Sequence, residues 1–157
     1  MAVDLVDAYL DGFQRGDVDA VLGLLAPDSV FQSPFGSWRG RFLRSVYAAR
    51  AVVFEDLDID APIRGGGRAV ILWRAAVAGA RVEATEVLSL GETAIDRVDA
   101  YLRPAGVLQS VYTAMTRAWP ARPDPRRSVT GAQDPRPIAA PSGPASPAGR
   151  SAPGPVR

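Results

Sequence analysis

Four strand-like runs, Val52 to Ile59, Ala69 to Val77, Arg81 to Leu90 and Ala94 to Arg103, follow one another closely. The breaks between them are Gly65-Gly66-Gly67, Ala78-Gly79-Ala80 and Gly91-Glu92-Thr93. Links this short join antiparallel neighbours, because a parallel crossover needs about a dozen residues or more. This half of the chain therefore predicts a meander of hairpins. Along Arg81 to Leu90, alternation puts Val82, Ala84, Glu86, Leu88 and Leu90 on one face, and four of those five are apolar. A slip of one residue would bury Glu83 and expose Leu88 and Leu90, so the register is well specified.

Glu86 thus falls in the middle of a buried apolar row, where an ionised carboxylate is expensive unless a partner meets it. Two readings stand. Glu86 pairs with a buried Arg and holds the sheet together, or it lines a pocket and acts on a ligand.

Ahead of the strands, apolar spacing predicts helices. Leu5, Val6, Tyr9, Leu10 and Phe13 form a stripe over residues 3–15, with Asp4, Asp7, Asp11 and Arg15 mostly on the other side. Gly16 ends that helix and Asp17 caps a second over Val18 to Leu25. Ser29 to Ser33 reads as a short strand and Pro34-Phe35-Gly36-Ser37 as a turn. A third helix from Gly40 to about Arg50 carries Phe42, Leu43, Val46 and Tyr47. Val107 to Trp119 closes the domain as a short helix or apolar end segment. The order α-α-β-α-β-β-β-β predicts an α+β fold, helices packed on one face of a curved antiparallel sheet and enclosing a cone-shaped pocket.

After Trp119 the composition changes. Residues 120–157 hold 10 of the 14 prolines and few bulky apolar side chains, so this Pro/Ala/Arg-rich tail is expected to be disordered and the folded domain to span 1–119. The domain carries 12 Arg against 15 acids and the tail 6 Arg against 2. The tail arginines are too sparse to predict nucleic-acid binding. Without Cys or His, thiolate chemistry, imidazole metal sites and Ser-His pairs are excluded. No metal and no cofactor are expected, and acid–base work would fall to Asp, Glu, Tyr or Arg-polarised groups. No apolar run approaches the roughly 20 residues of a membrane span, and the stretch Met1 to Leu10, acidic and amphipathic, is not expected to be a signal peptide. A cytoplasmic location without membrane association is the expectation.

The run from Tyr9 through Gly-Asp-Val-Asp-Ala-Val and Leu-Leu-Ala-Pro-Asp-Ser-Val to Phe31, with the Ser-Pro-Phe-Gly run and the later hairpins, resembles the SnoaL-like and ketosteroid-isomerase-like proteins of the NTF2-like superfamily. The resemblance covers residues 3–119 and implies the cone fold and a homodimer, for which an exposed sheet face would serve. It also implies a site. Tyr9 stands where the isomerases have their oxyanion-binding tyrosine, and Glu86 where they have a protonated carboxylic acid. The general-base aspartate of that pattern falls on Ser33. In limonene-epoxide-hydrolase-like members Arg74 matches the arginine and Asp99 one carboxylate, while the other carboxylate falls on Ala76. The water-orienting tyrosine and asparagine there fall on Phe31 and Ser33. For a cyclase of the SnoaL kind, Asp99 or Glu86 would be the acid–base residue.

The resulting expectation is acid–base chemistry, isomerase- or cyclase-like, on a small apolar carbonyl or polyketide-like compound. Tyr9, Glu86 and Asp99 would be catalytic, with Phe31, Ser33, Trp38, Trp73, Arg74 and Tyr101 around the substrate. The alternative is a non-catalytic ligand-binding or dimerisation module in which Glu86 and Arg74 neutralise each other. Asp56, Asp58 and Asp60 alternate along one strand face and read as a solvated edge rather than a cation site.

Overall fold

The computed structural model describes residues 4–120; the predicted tail lies, beyond Pro120, outside them. Asp4 caps the first helix, α1 (Leu5–Arg15), accepting from the backbone N–H groups of Val6 and Asp7. Gly16 ends it in the left-handed region at φ 65°, and Asp17 caps α2 (Val18–Leu22). The two helices touch at Gly12, where a Cβ would stand 2.9 Å from Val21 Cγ2. A glycine is what permits that approach.

Here the structure departs from the sequence reading. The second helix stops at Leu22, and β1 begins at Leu25, running to Ser33 rather than from Ser29. The sheet claims the intervening residues: Ile95 N–H donates to Leu24 O at 2.8 Å. The predicted turn contains a strand as well, because β2 (Gly36–Arg39) folds back on β1 and pairs Phe31 with Trp38.

Helix α3 (Phe42–Val53) runs past Arg50 and takes Val52 and Val53 from the predicted strand. Burial of Val46, Ala49, Arg50 and Val53 along one face outweighs the β preference of two valines. The strand that follows, β3 (Glu55–Ile59), and the short β4 (Ile63–Gly65) share one edge of β5 (Arg68–Val77). Gly66 and Gly67, both at positive φ, make the tight turn into β5. Then β6 (Ala80–Leu90) and β7 (Ile95–Arg103) complete the meander.

The strand order is β2-β1-β7-β6-β5-β3. The β1–β7 pair is parallel, unlike every other pairing in the sheet. A short helical turn at Ala105–Val107 leads into α4 (Leu108–Ala118). The architecture is therefore α+β, as expected, a curved unclosed sheet with helices against its inner face.

The alternation read for β6 holds: Val82, Ala84, Glu86 and Leu88 are buried. They face inward with Ala69, Ile71, Trp73, Ala75 and Val77 of β5 and with Val98 and Ala100 of β7. Together with Val6, Tyr9 and Phe13 of α1 and Leu43, Val46 and Tyr47 of α3, these form one core.

Candidate functional site

Glu86 is fully buried, 0% exposed, and every group facing its oxygens is a donor. Trp73 Nε1–H donates to Oε1 at 3.1 Å from the neighbouring strand. The Tyr9 hydroxyl, from α1, donates to Oε2 at 2.9 Å. The third donor is Arg50 of α3, whose Nη2 makes a direct ion pair with Oε1. Arg50 is itself only 3% exposed. Its guanidinium lies 4.3 Å from the centroid of Phe13, 5.0 Å from Phe31, 5.2 Å from Tyr47 and 5.9 Å from Trp73. A desolvated cation against aromatic faces gains about 2 kcal/mol or more. Five secondary-structure elements, α1, α3, β1, β5 and β6, thus converge on one charge pair.

The hydrogen bonds can be accounted for atom by atom. Tyr9 has one hydroxyl hydrogen and gives it to Glu86, so across the 3.2 Å contact between the two hydroxyls it is Tyr47 that donates. Arg50 Nη1 donates to the Tyr9 oxygen at 3.4 Å. The Tyr9 oxygen then has both lone pairs occupied.

Burial first, and the negative charge of Glu86 second, push the Tyr9 hydroxyl well above the usual phenol range. Burial lifts Tyr47 as well, against the pull of Arg50 and with the push of Glu86. For Arg50, burial is the largest influence and favours deprotonation, but Glu86 together with Tyr9 and Tyr47 more than offsets it and the net shift is upward. The guanidinium is a permanent cation.

The structure brings together some of the residues predicted for the site and separates others. Tyr9, Glu86, Trp73 and Phe31 meet around Arg50. Ser33 lies in the inward row of Glu86 and Ala100, one residue beyond the Gln32–Asp99 pair, and its Oγ accepts from Phe35 N–H at 3.2 Å. Trp38 is half-buried and meets Trp119 in a tilted ring contact, centroids 6.2 Å apart. Arg74, Asp99 and Tyr101 are on the other face. Arg74 is cross-strand from Glu83, not Glu86, and reaches Asp58 at 3.1 Å and Asp60 at 2.8 Å. Hydrogen bonding to Asp60 holds it above the ordinary arginine value.

Arg74 does share a face with Val70, Leu72 and Ala76, but the alternate residues Ile71, Trp73, Ala75 and Val77 form the larger apolar row and take the core. Asp99 pairs with Arg97 at 2.8 Å on the outer face, and Tyr101 is 60% exposed there. Among the described residues no group of three His, Cys, Asp or Glu is placed to hold a metal ion.

Arg50 is the residue that sequence reasoning missed. The signal was present: Leu43, Val46 and Tyr47 set a helical stripe, and the next position on it is Arg50. A lone arginine on an inward stripe facing a lone glutamate on an inward row is the pairing to look for.

Two predictions follow from this geometry. Removing one partner leaves the other charged and buried, so Arg50→Met or Glu86→Leu alone should lower the free energy of unfolding by about 3–5 kcal/mol, and the double variant should recover most of that loss. Urea unfolding of the four forms measures it; a double variant no better than the worse single would remove the coupling. The second concerns alkali. The two hydroxyls titrate near pH 10 in an unfolded chain and higher in the folded one. Their contribution is complete below about pH 10 and lost as pH rises through the folded values. Unfolding free energy should therefore decline above about pH 10, with a shallower slope in Tyr9→Phe and Tyr47→Phe.

Comparison with known proteins places the fold. A family model described as the SnoaL-like domain matches residues 6–90. No curated protein sequence matches the chain. Among solved structures, a steroid delta-isomerase from Pseudomonas aeruginosa is similar at TM-score 0.67 and 22% identity, covering 74% of this chain and 89% of that one. An uncharacterised protein with a cystatin-like fold from Silicibacter pomeroyi gives 0.66 and 20%, over 74% and 85%. A hypothetical protein with a ketosteroid-isomerase-like fold from Catenulispora acidiphila, solved in complex with trimethylamine, gives 0.55 and 17%, over 71% and 95%.

Proposed function

The chain belongs to the SnoaL-like domain family, and we propose that within it this protein binds a small apolar molecule without transforming it, Glu86 serving as the counter-ion of Arg50. One observation carries the reading: the polar groups of the centre are satisfied by one another. Tyr9 gives its hydrogen to Glu86 and receives at both lone pairs, while the Glu86 oxygens take Arg50, Trp73 and Tyr9. Neither residue has a donor left to aim at a ligand oxygen, which is the task of an oxyanion site. Ser33, at the position where the isomerase pattern has its base, adds support, because an alcohol with no base beside it is a poor proton acceptor. No helix among the described residues is long and apolar enough to cross a membrane.

A second reading has its own support. The 2.9 Å contact between Tyr9 and Glu86, together with a steroid delta-isomerase among the similar folds, favours acid–base chemistry on a small apolar carbonyl, Tyr9 and Glu86 polarising its oxygen. One experiment separates the two. A panel of apolar ketones, enones, epoxides and phenols is tested for thermal shift and for consumption. The expected result is that members raise the melting temperature and none is converted. Turnover that falls ten- to a thousandfold, as an order of magnitude, in both Tyr9→Phe and Glu86→Gln would overturn the binding reading in favour of the second.

The homodimer is proposed to form through the outer sheet face. Leu72, Thr85 and Tyr101 make one cross-strand row there, with Leu72 and Tyr101 exposed. Around it lie the ion pairs of Arg74 with Asp58 and Asp60, of Arg97 with Asp99 and of Arg103 with Glu83. Leu72→Glu with Tyr101→Glu should convert a dimer to a folded monomer by sedimentation. A wild type that sediments as a monomer at high concentration would end this proposal.

A further inference from the structure

Helix α4 is bound to the rest of the molecule in an unusual way. Its fully buried side chain is Val111. Its side-chain hydrogen bonds among the described residues are internal, Gln109 with Thr113 and Thr116 with the Tyr112 carbonyl. No ion pair ties its Arg117 to a described residue, and no side chain caps its start. Among the described residues it is held by apolar and aromatic contact.

Those contacts fall on both ends of the sheet. The helix packs on α3 and touches β5, while Tyr112 meets Phe35 at 5.8 Å and Trp119, the residue that ends the helix, meets Trp38 at 6.2 Å, both ring pairs tilted. In the strand order β2 and β5 lie near opposite ends, so α4 bridges the concave side of the curved sheet. Behind it the aromatic groups continue inward: Trp38 meets Phe31 at 6.1 Å, and Phe31 meets Tyr47 at 5.7 Å and the Arg50 guanidinium at 5.0 Å. The Trp119 and Tyr112 side chains occupy the outer end of an aromatic series that leads to the ion pair.

From this we infer that α4 is a displaceable cover on the binding site, and that the site takes an uncharged aromatic molecule which replaces Trp119 and Tyr112 against Trp38 and Phe35. The inference rests on the binding reading above and deepens it. The ligand is aromatic because the surfaces it must match are rings that now meet rings, tilted by 49° at Phe35 and by 40° at Trp38. It is uncharged because the neighbouring cation already has Glu86 as its counter-ion, so that an added charge would be desolvated without a partner. Displacement is feasible because local opening is easiest where few buried contacts and no polar ties hold a segment.

The test uses the full chain and N-phenyl-1-naphthylamine, an uncharged fluorescent aromatic amine. Removing the built-in occupants with Trp119→Ala and Tyr112→Ala removes their competition, so the double variant should bind the probe about tenfold tighter than wild type. Adding Trp38→Ala should abolish that gain. In wild type, saturating probe should speed hydrogen exchange across residues 108–118 and leave α1 and α3 unchanged. Near-UV circular dichroism checks that each variant keeps its tertiary packing. Equal affinity in wild type and in the folded double variant would overturn the cover while leaving small-molecule binding intact. Exchange in α4 that stays as slow at saturation as in the free protein would overturn it too. A failure of both forms to bind this probe or any of the ketones, enones, epoxides and phenols would remove the binding reading with it.

Discussion

A guanidinium and a carboxylate taken out of water together lose several kcal/mol of hydration each, and their attraction repays that only when geometry and hydrogen bonding are nearly complete. Arg50 and Glu86 meet this condition through parts drawn from across the chain. Glu86 comes from β6, Trp73 from β5, Tyr9 from α1, and Arg50 and Tyr47 from α3. A shift of α3 or β6 by a turn or a register step would leave a buried charge unpartnered, and a shift of α1 or β5 would strip a hydrogen bond from the pair. The pair is a weak source of net stability and a strong constraint on which arrangement of the helices over the sheet is allowed.

The same pair bears on function. In a related scaffold a buried carboxyl can be kept neutral and used as a donor; here a neighbouring cation takes that carboxylate as its counter-ion, and the tyrosine beside it turns its hydrogen inward. What the centre has left to offer a ligand is set in part by a single side chain, Arg50 on the inward stripe of α3. The outer face follows different rules. Arg74, Arg97 and Arg103 pair with acids at its margins, where screening makes each pair worth little, and the row of Leu72, Thr85 and Tyr101 lies between them. The apolar surface of α4 belongs to the inner side and to the question of access.

Much was legible along the chain because local physics is periodic. The inward face of β6, with Glu86 at its centre, follows from alternation. The caps at Asp4 and Asp17, the stop at Gly16 and the hairpin turns follow from short-range sterics and hydrogen bonding. The candidate site was legible in part: Tyr9 and Glu86 lie on inward stripes, and they do meet. Arg74 illustrates the limit. Its own face is apolar enough to suggest burial, and only comparison with the larger residues alternating with it decides the matter. Arg50 illustrates another, since a polar residue on a helical stripe has no meaning until something is known to face it.

By itself, then, the sequence determined the α+β class, the antiparallel meander, the inward rows of strands and helices, and the conflict posed by a carboxylate in an apolar row. Each of these rests on spacing within about ten residues, where backbone geometry and side-chain direction are tied directly to sequence order. Tertiary structure decided the rest: that β1 runs parallel beside β7, that α3 extends through Val53, that Asp99 and Tyr101 stand behind the sheet, and that Arg50 answers Glu86. Those outcomes join residues as many as 70 positions apart, as Leu25 and Ile95 are. They are settled by competition among faces for a single core, which no local pattern records.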